Sequence, residues 1–320
     1  MLSEKADVII PFLYPGQLLV ESISSLRNNH NIGKFYLVQN GINNTEVKNE
    51  KKKLIKIFSG VDNNNDIKHL IVERKNTSIA VNYGISESKA NYVMFASSHS
   101  YYEDGYIDQL YDEIKNNNSI YAIGGRVVCL SGSPDKTADA VRDAFSSYLG
   151  CFSRYRSLDR QEEYFHTDRI YSAIYTKSAL KKINLFDETK ERAQDIDVAK
   201  RLIKSGGDAI IYPVKNVYWI LTAKTPFDLY KRYFNQGYWT VKYNISNRNY
   251  FIIPVFILVI VFGILFWGPL MKNIILGIFI FIMVYSYKIS KSKSNTLMVA
   301  ISLILSYVGY FLGVIRALFK

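Results

Sequence analysis

Short apolar runs alternate with stretches whose apolar residues recur three and four apart from residue 7 to residue 130, a pattern of βα units around a mostly parallel sheet. Strands are expected over Asp7–Leu13 (DVIIPFL), Lys34–Asn40 (KFYLVQN), Ile67–Glu73 (IKHLIVE) and Asn91–Ala96 (NYVMFA). Helices are expected over Gln17–Arg27, over the lysine-rich Thr45–Phe58, over Ser78–Ser88 with Ala80, Val81, Gly84 and Ile85 inward, and over Asp104–Lys115 with Asp104 as cap. Ligands of open α/β sheets bind at the carboxyl ends of strands, so the residues following Leu13, Val38, Glu73 and Ala96 should converge on one site. After Ser119–Leu130 the pattern loosens through a Ser/Arg/Tyr-rich region. It resumes with IYSAIYTKSALKKINLFDE, AQDIDVAKRLIKSGG and a strand over Ile211–Trp219.

The polar–apolar alternation stops altogether near the C-terminus. Phe251–Met271 and Ser294–Ile315 carry no charge and are long enough to cross a bilayer, and Asn273–Tyr287 is a shorter third run. The sequence therefore predicts a cytosolic domain over 1–222, a basic aromatic juxtamembrane segment over 223–249 and a membrane domain over 250–320 with about three transmembrane helices. Lys231, Arg232, Lys242 and Arg248 before the first span, and Lys288, Lys291 and Lys293 between the last two, place those segments in the cytoplasm of a multi-pass inner-membrane protein. Met1–Ala6 is mostly polar and the run Val8–Leu13 is short, so no signal peptide is expected there. Two cysteines, Cys129 and Cys151, make no disulfide framework.

The net charge is +12. The basic residues after Tyr250 meet no acid and account for half of it, so the part before the spans is basic as well. Anionic lipid, a phosphate-rich substrate and nucleic acid are the partners such a charge fits, and membrane tethering favours the first two. No nucleic-acid module or groove-reading helix is present in the pattern. For Lys51–Lys53 and Lys181–Lys182 a solvated surface is the plain alternative.

The ordered stretches VIIPFLYPGQLL, FYLVQNGINNT, NTSIAVNYGISESKANYVMFASSHSYY, YAIGGRV, AIYTKSALKKINLFDE, QDIDVAKRLIKSGG and RYFNQGYW resemble inverting family-2 glycosyltransferases, most nearly the membrane-anchored succinoglycan-biosynthesis type. The resemblance implies a nucleotide-diphospho-sugar transferase (GT-A-like) fold and a nucleotide-sugar donor. It places the donor against Pro11, Gln39, Asn40, Asn82, Ser97 and His99. In the family the second strand ends in acids where this chain has Gln39-Asn40, and a metal-binding acid stands where it has Ser97-Ser98-His99. Amides at 39 and 40 still hydrogen-bond a base or hydroxyl but add no negative charge. A hard cation such as Mg2+ or Mn2+ seeks carboxylate oxygens. Either the substrate's phosphates hold a weakly bound or dispensable metal with His99 as one ligand, or basic side chains such as Arg126, Lys231 and Arg232 balance the leaving group instead.

On the acceptor side the resemblance aligns Gln194-Asp195 with the family's Glu-Asp pair and makes Asp195 the general base. Inverting transfer needs one such carboxylate, which takes the acceptor hydroxyl's proton as that oxygen attacks the anomeric carbon. Asp195 and Asp197 equally suit the charge preference of a helix N-terminus, and Arg201 stands one turn on as an ion-pair partner for Asp197. Arg232, Gln236 and Trp239 resemble the family's juxtamembrane residues that meet the diphosphate and acceptor, and they also suit an interfacial aromatic anchor. The reading is sugar transfer to a polyprenyl-diphosphate-linked glycan in capsule, exopolysaccharide or O-antigen synthesis, beside polysaccharide assembly proteins. The alternative is a catalytically degenerate relative that binds glycan or nucleotide, or scaffolds an assembly complex, without catalysis.

Overall fold

A computed structural model describes residues 5–42, 49, 66–151, 164–243 and 269–319. The expected helix over Thr45–Phe58 and nearly all of the expected span Phe251–Met271 lie outside the described residues. The chain forms two compact units, Met1–Val128 with Leu158–Trp219, and Cys129–Ser157 with Ile220–Lys320.

The first unit is built on a nine-stranded sheet. Its strands are β1 (Ala6–Phe12), β2 (Ile32–Asn40), β3 (Ile67–Val72), β4 (Tyr92–Phe95), β5 (Ser100–Tyr102), β6 (Ile120–Ser131), β7 (Phe165–His166), β8 (Ile174–Thr176) and β9 (Asp208–Leu221). They run in the order β3-β2-β1-β4-β8-β6-β9-β5, and β7 pairs with β9. The half read from alternation, β3-β2-β1-β4, is parallel throughout. β1 is buried along nearly its whole length, as a strand covered on both faces must be, and that explains its unbroken apolar run. The expectation of a mostly parallel sheet needs correction for the other half. β8 pairs antiparallel with β4 and β6, and β5 and β7 pair antiparallel with β9. Of these, β5, β7 and β8 have three residues or fewer and carry no alternation long enough to read, whereas the strand expected over Ile211–Trp219 falls within β9.

Helices α1 (Gln17–Leu26), α2 (Thr77–Glu87) and α3 (Tyr106–Asn116) fall where spacing puts them. α2 starts at Asn76, whose side chain accepts the Ile79 N–H at 3.2 Å, and its inward face is the expected Ala80, Val81, Gly84 and Ile85. Gly84 is there because a Cβ would lie 2.6 Å from Ile9 Cγ2 of β1, so only a hydrogen lets helix and sheet approach so closely. The cap of α3 is not Asp104. Gly105, in the left-handed region at φ 72, occupies that position, and Asp104 instead accepts from the Asn28 amide at 3.0 Å.

The second unit contains α4 (Lys136–Ser146), the single turn α5 (Tyr148–Cys151), α8 (Pro226–Lys242), α9 (Pro269–Ile289) and α10 (Thr296–Leu318). α4 lies in the region where the sequence pattern loosens, and Asp135 caps it by accepting the Ala138 N–H at 2.8 Å. Ala140 and Ala144 of α4 pack on Val299 and Leu303 of α10. α8 opens with a capping box between Thr225 and Asp228 followed by Pro226, and its buried side is Leu229, Tyr233 and Gly237. α8 meets α10 backbone to backbone: a Cβ at Gly237 would lie 2.1 Å from Tyr310 O, and one at Gly313 would lie 1.9 Å from Phe234 O. The expected spans Asn273–Tyr287 and Ser294–Ile315 fall on α9 and α10. Among the described residues one helix, Lys293–Leu318, is long and apolar enough to cross a membrane, and Asn273–Ile289 is a shorter apolar helix.

Candidate active site

Three parallel strands bring the residues expected on the donor side to one edge. Phe12 of β1 stands level with Gln39 of β2, with Pro11 one step earlier level with Val38, and Asn40 is level with Val72 of β3. Gln39 is fully buried, and its amide donates to Leu13 O at 3.3 Å, tying the end of β2 to the loop after β1. Gly41 turns the chain away at φ 75 while its N–H is held by Val72 O at 2.9 Å.

At the end of β4, Ala96 donates to Ile9 O at 2.9 Å and Ser97 is fixed from three sides. Its carbonyl accepts from Ser22 Oγ at 2.8 Å, and its N–H donates to the Tyr102 hydroxyl at 2.9 Å. Its own hydroxyl lies 3.1 Å from His99 Nδ1. The His99 ring faces Trp219 at 6.4 Å between centroids, and Trp219 meets Tyr171 edge-on. Tyr102 is fully buried, which pushes its phenol well above the usual range, and it reaches Ser172 Oγ at 3.1 Å. Tyr102, Tyr171 and Ser172 are the residues sequence reasoning missed. The only signal was the aromatic pair Tyr101-Tyr102 directly after the strand end.

Ser97 and His99 do not fit Mg2+ or Mn2+: their hydroxyl and imidazole face each other, with no carboxylate between them. The two acids that follow are engaged elsewhere, Glu103 by Asn216 at 2.7 Å and Asp104 by Asn28. Among the described residues no group of three or more His, Cys, Asp or Glu side chains gathers as metal ligands do.

Between β8 and β9 the first unit carries α6 (Lys177–Lys182) and α7 (Gln194–Lys204). Asp195 stands half-buried in the first turn of α7, behind Ala193 in the left-handed region at φ 62. It lies near Tyr175 of β8, whose phenol is pushed far up first by burial and then by the Asp195 charge. Gln194 reaches back to Lys190 O at 3.4 Å. Asp197 and Arg201 form the expected ion pair, with Arg201 Nε 2.8 Å from Asp197 Oδ2, and Lys190 contacts the same carboxylate. Arg201 Nη1 also donates to Ile183 O at 2.6 Å and Leu185 O at 2.7 Å, holding a turn in which Asn184 and Leu185 both adopt positive φ. Asn82 of α2 holds the next residues, since its amide donates to Phe186 O at 2.9 Å and accepts the Phe186 N–H at 3.0 Å. Its hydrogen bonds thus brace the chain leading to Asp195.

Arg126 follows Gly125 in β6, and its Nε is buried without a hydrogen-bond partner among the described residues. Arg232, Gln236 and Trp239 all lie on α8, at positions i, i+4 and i+7 of one helical face. The Arg232 guanidinium sits 5.3 Å over the Phe145 ring, and Lys242 Nζ sits 4.6 Å over Trp239. Lys231, also on α8, is exposed and lies over Phe227 at 4.7 Å.

Among solved structures the chain is similar to a mannosyltransferase, PcManGT from Pyrobaculum calidifontis in complex with GDP-Man and Mn2+ (TM-score 0.58, 12% identity, 96% of this chain and 86% of that one). It is also similar to GalNAc-T7 with UDP, GalNAc and Mn2+ (TM-score 0.50, 14% identity, 70% of this chain). The chain spans 46% of GalNAc-T7 and 38% of S. aureus TarS, a further match at TM-score 0.48 and 13% identity over 72% of this chain. At these identities the likeness is one of fold. No curated protein sequence matches. The profile of glycosyl transferase family 2 matches residues 7–183, more than half of the chain, including β1, β2, β4 and β8. The chain belongs to glycosyl transferase family 2.

Proposed function

We propose that the protein is a membrane-bound, inverting sugar transferase that moves a sugar from a nucleotide sugar to a polyprenyl-diphosphate-linked glycan during bacterial surface polysaccharide assembly. The carrying observation is the retained carboxylate, Asp195, in the first turn of α7 beside the sheet, while Gln39, Asn40 and Ser97 leave the donor edge without acid. Asp195 takes the proton of an acceptor hydroxyl as that oxygen bonds to the anomeric carbon. The bond from that carbon to the diphosphate oxygen breaks on the opposite face, and its electron pair leaves with the nucleoside diphosphate. Pro11, Gln39, Asn40, Ser97 and His99 line the donor in this reading, and Asn82 and Gln194 support the approach to Asp195.

The leaving group gains negative charge, and the buried Nε of Arg126 makes that residue the first candidate to balance it. Mn2+ accompanies the nucleotide in the two similar complexes, whereas the donor set at Ser97 and His99 favours a dispensable metal here. Arg232, Gln236 and Trp239 are assigned to the diphosphate of the lipid-linked acceptor, with Lys231 beside them. Their helical face and the apolar α10 support an acceptor delivered at headgroup depth in the inner membrane. The division proposed is catalytic residues 1–222 on the cytosolic side, a juxtamembrane segment 223–249 and about three spans over 250–320, alongside polysaccharide assembly proteins.

Membranes are incubated with labelled nucleotide sugars and a synthetic lipid-diphosphate acceptor. Activity persists in EDTA and disappears in Asp195→Asn; strict metal dependence refutes the metal assignment, and an active Asp195→Asn refutes the base. The non-acidic Gln39, Asn40, Ser97 and Gln194 favour a second reading, a non-catalytic binding or scaffold subunit. Calorimetry separates the two, because failure of a folded protein to bind any nucleoside diphosphate selects the scaffold.

A further inference from the structure

A cavity of about 550 Å³ opens at the other end of β4, lined by Ser88, Lys89 and Asn91 on one side and Lys177, Ser178 and Lys181 on the other. It is remote from the donor edge. Lys177 begins α6 directly after β8, its N–H donates to Asn91 O at 2.8 Å, and Thr176 stands level with Tyr92, the first residue of β4. Six residues of extended chain separate Asn91 from Ser97, roughly 20 Å at a strand's rise per residue.

The wall carries three ammonium groups and no acid. Asp7 is the carboxylate whose charge acts on Lys177, but it is 4% exposed and already occupied, by the Lys34 N–H at 2.8 Å and the Ser88 hydroxyl at 2.6 Å. Glu87, before the cavity's first residue, is paired with Lys68. Burial first, and then the neighbouring Lys181, pull the Lys177 ammonium below its usual range. Its head group donates to Ser88 O, which anchors it at the cavity floor. Like charges gathered in a concave, partly desolvated place are held at a cost that an anion relieves. The lining includes no aromatic ring to stack a base, so the cavity suits an oxyanion better than a nucleoside.

We propose that the amino edge of the sheet carries a second anion site, formed by Lys89, Lys177 and Lys181 with the Asn91 amide and Ser178 hydroxyl, for a phosphate or diphosphate group. The site is separate from the donor edge and independent of the transfer chemistry assigned there. The group belongs either to a free ion or to a phospholipid head, and both present the same oxygens to the lysines.

The test follows hydrogen exchange across peptides covering 88–91 and 174–182 in the full-length protein, with inorganic diphosphate in one arm and phosphatidic acid vesicles, against phosphatidylcholine vesicles, in the other. The comparison protein is the double variant Lys89→Gln/Lys181→Gln, both exposed positions, with Lys177 intact. Protection of these peptides by diphosphate, with apparent affinity falling roughly 2- to 30-fold in the double variant, upholds the site and assigns it to a free ion. Protection by phosphatidic acid alone, weakened in the same variant, upholds it and assigns it to a lipid head. Protection confined to 97–99, protection unchanged in the double variant, or none in either arm overturns it.

Discussion

Arg201→Leu removes one side chain that holds three groups at once. The guanidinium donates to Ile183 O at 2.6 Å, to Leu185 O at 2.7 Å and to Asp197 at 2.8 Å, and it is mostly shielded from water. Asp197 keeps Lys190, so it is not stranded, but both carbonyls lose a charged donor. Hydrogen bonds to charged groups contribute roughly 1.5–3 kcal/mol each, and partial access of water returns some of that, so the local loss is about 2–4 kcal/mol. The turn it holds is costly in itself. Leu185 adopts φ 61, a left-handed geometry that an L side chain adopts at a cost of about 1–2 kcal/mol, and the two captured carbonyls offset that cost. Hydrogen exchange by mass spectrometry on peptides covering 183–197 reads the change directly, through the amides of Leu185, Phe186 and Asp197. At about 1.4 kcal/mol per tenfold, exchange there accelerates about 30- to 1000-fold, while β1 and β2 stay protected. An acceleration under about threefold refutes the bracing role.

Gly313→Val puts a branched side chain where even a Cβ meets Phe234 O at 1.9 Å, so α8 and α10 separate and thermal stability in detergent falls by about 1–3 kcal/mol; an unchanged melting temperature rejects the close contact. Thr225→Ala removes half of the capping box and costs α8 about 0.5–2 kcal/mol, seen as increased exchange in peptides from 226–232. The same box gives a pH signature. The Thr225 hydroxyl, ahead of the backbone N–H groups, holds the Asp228 carboxyl below its usual range. Its contribution is therefore full above the unfolded carboxyl's pKa, about 3.9, and is lost as pH falls through the lower folded value. Exchange in 226–232 rises on acidification in the wild type and changes less in Thr225→Ala; equal acid sensitivity in both proteins contradicts the assignment.

The parallel half of the sheet was legible because β1, β2 and β4 are buried runs whose apolar residues have no other use, and α2 because its inward face repeats at helical spacing. In the antiparallel half the strand expected over Ile211–Trp219 falls within β9, but the short strands were not legible. β5 and β8 are three residues each, too short to show a period, and they exist through partners more than fifty residues away. Asp104 looked like a cap because acids favour that position, but Gly105 takes the positive φ that the entry to α3 requires. At the candidate site the Asp197–Arg201 pair follows from four-residue spacing. The same guanidinium's hold on Ile183 and Leu185, and the grip of Tyr102 on Ser97, depend on how distant segments fold together.

The seam between α8 and α10 has a mechanical consequence. Soft side chains usually separate two helices and absorb small slips between them. Here glycines let backbone meet backbone at Gly237, Gly309 and Gly313, so little compressible material remains. The two helices then move as one lever. A shift of α10 along or about its axis carries Arg232, Gln236 and Trp239 with it, and their height is set by a helix to which none of them belongs.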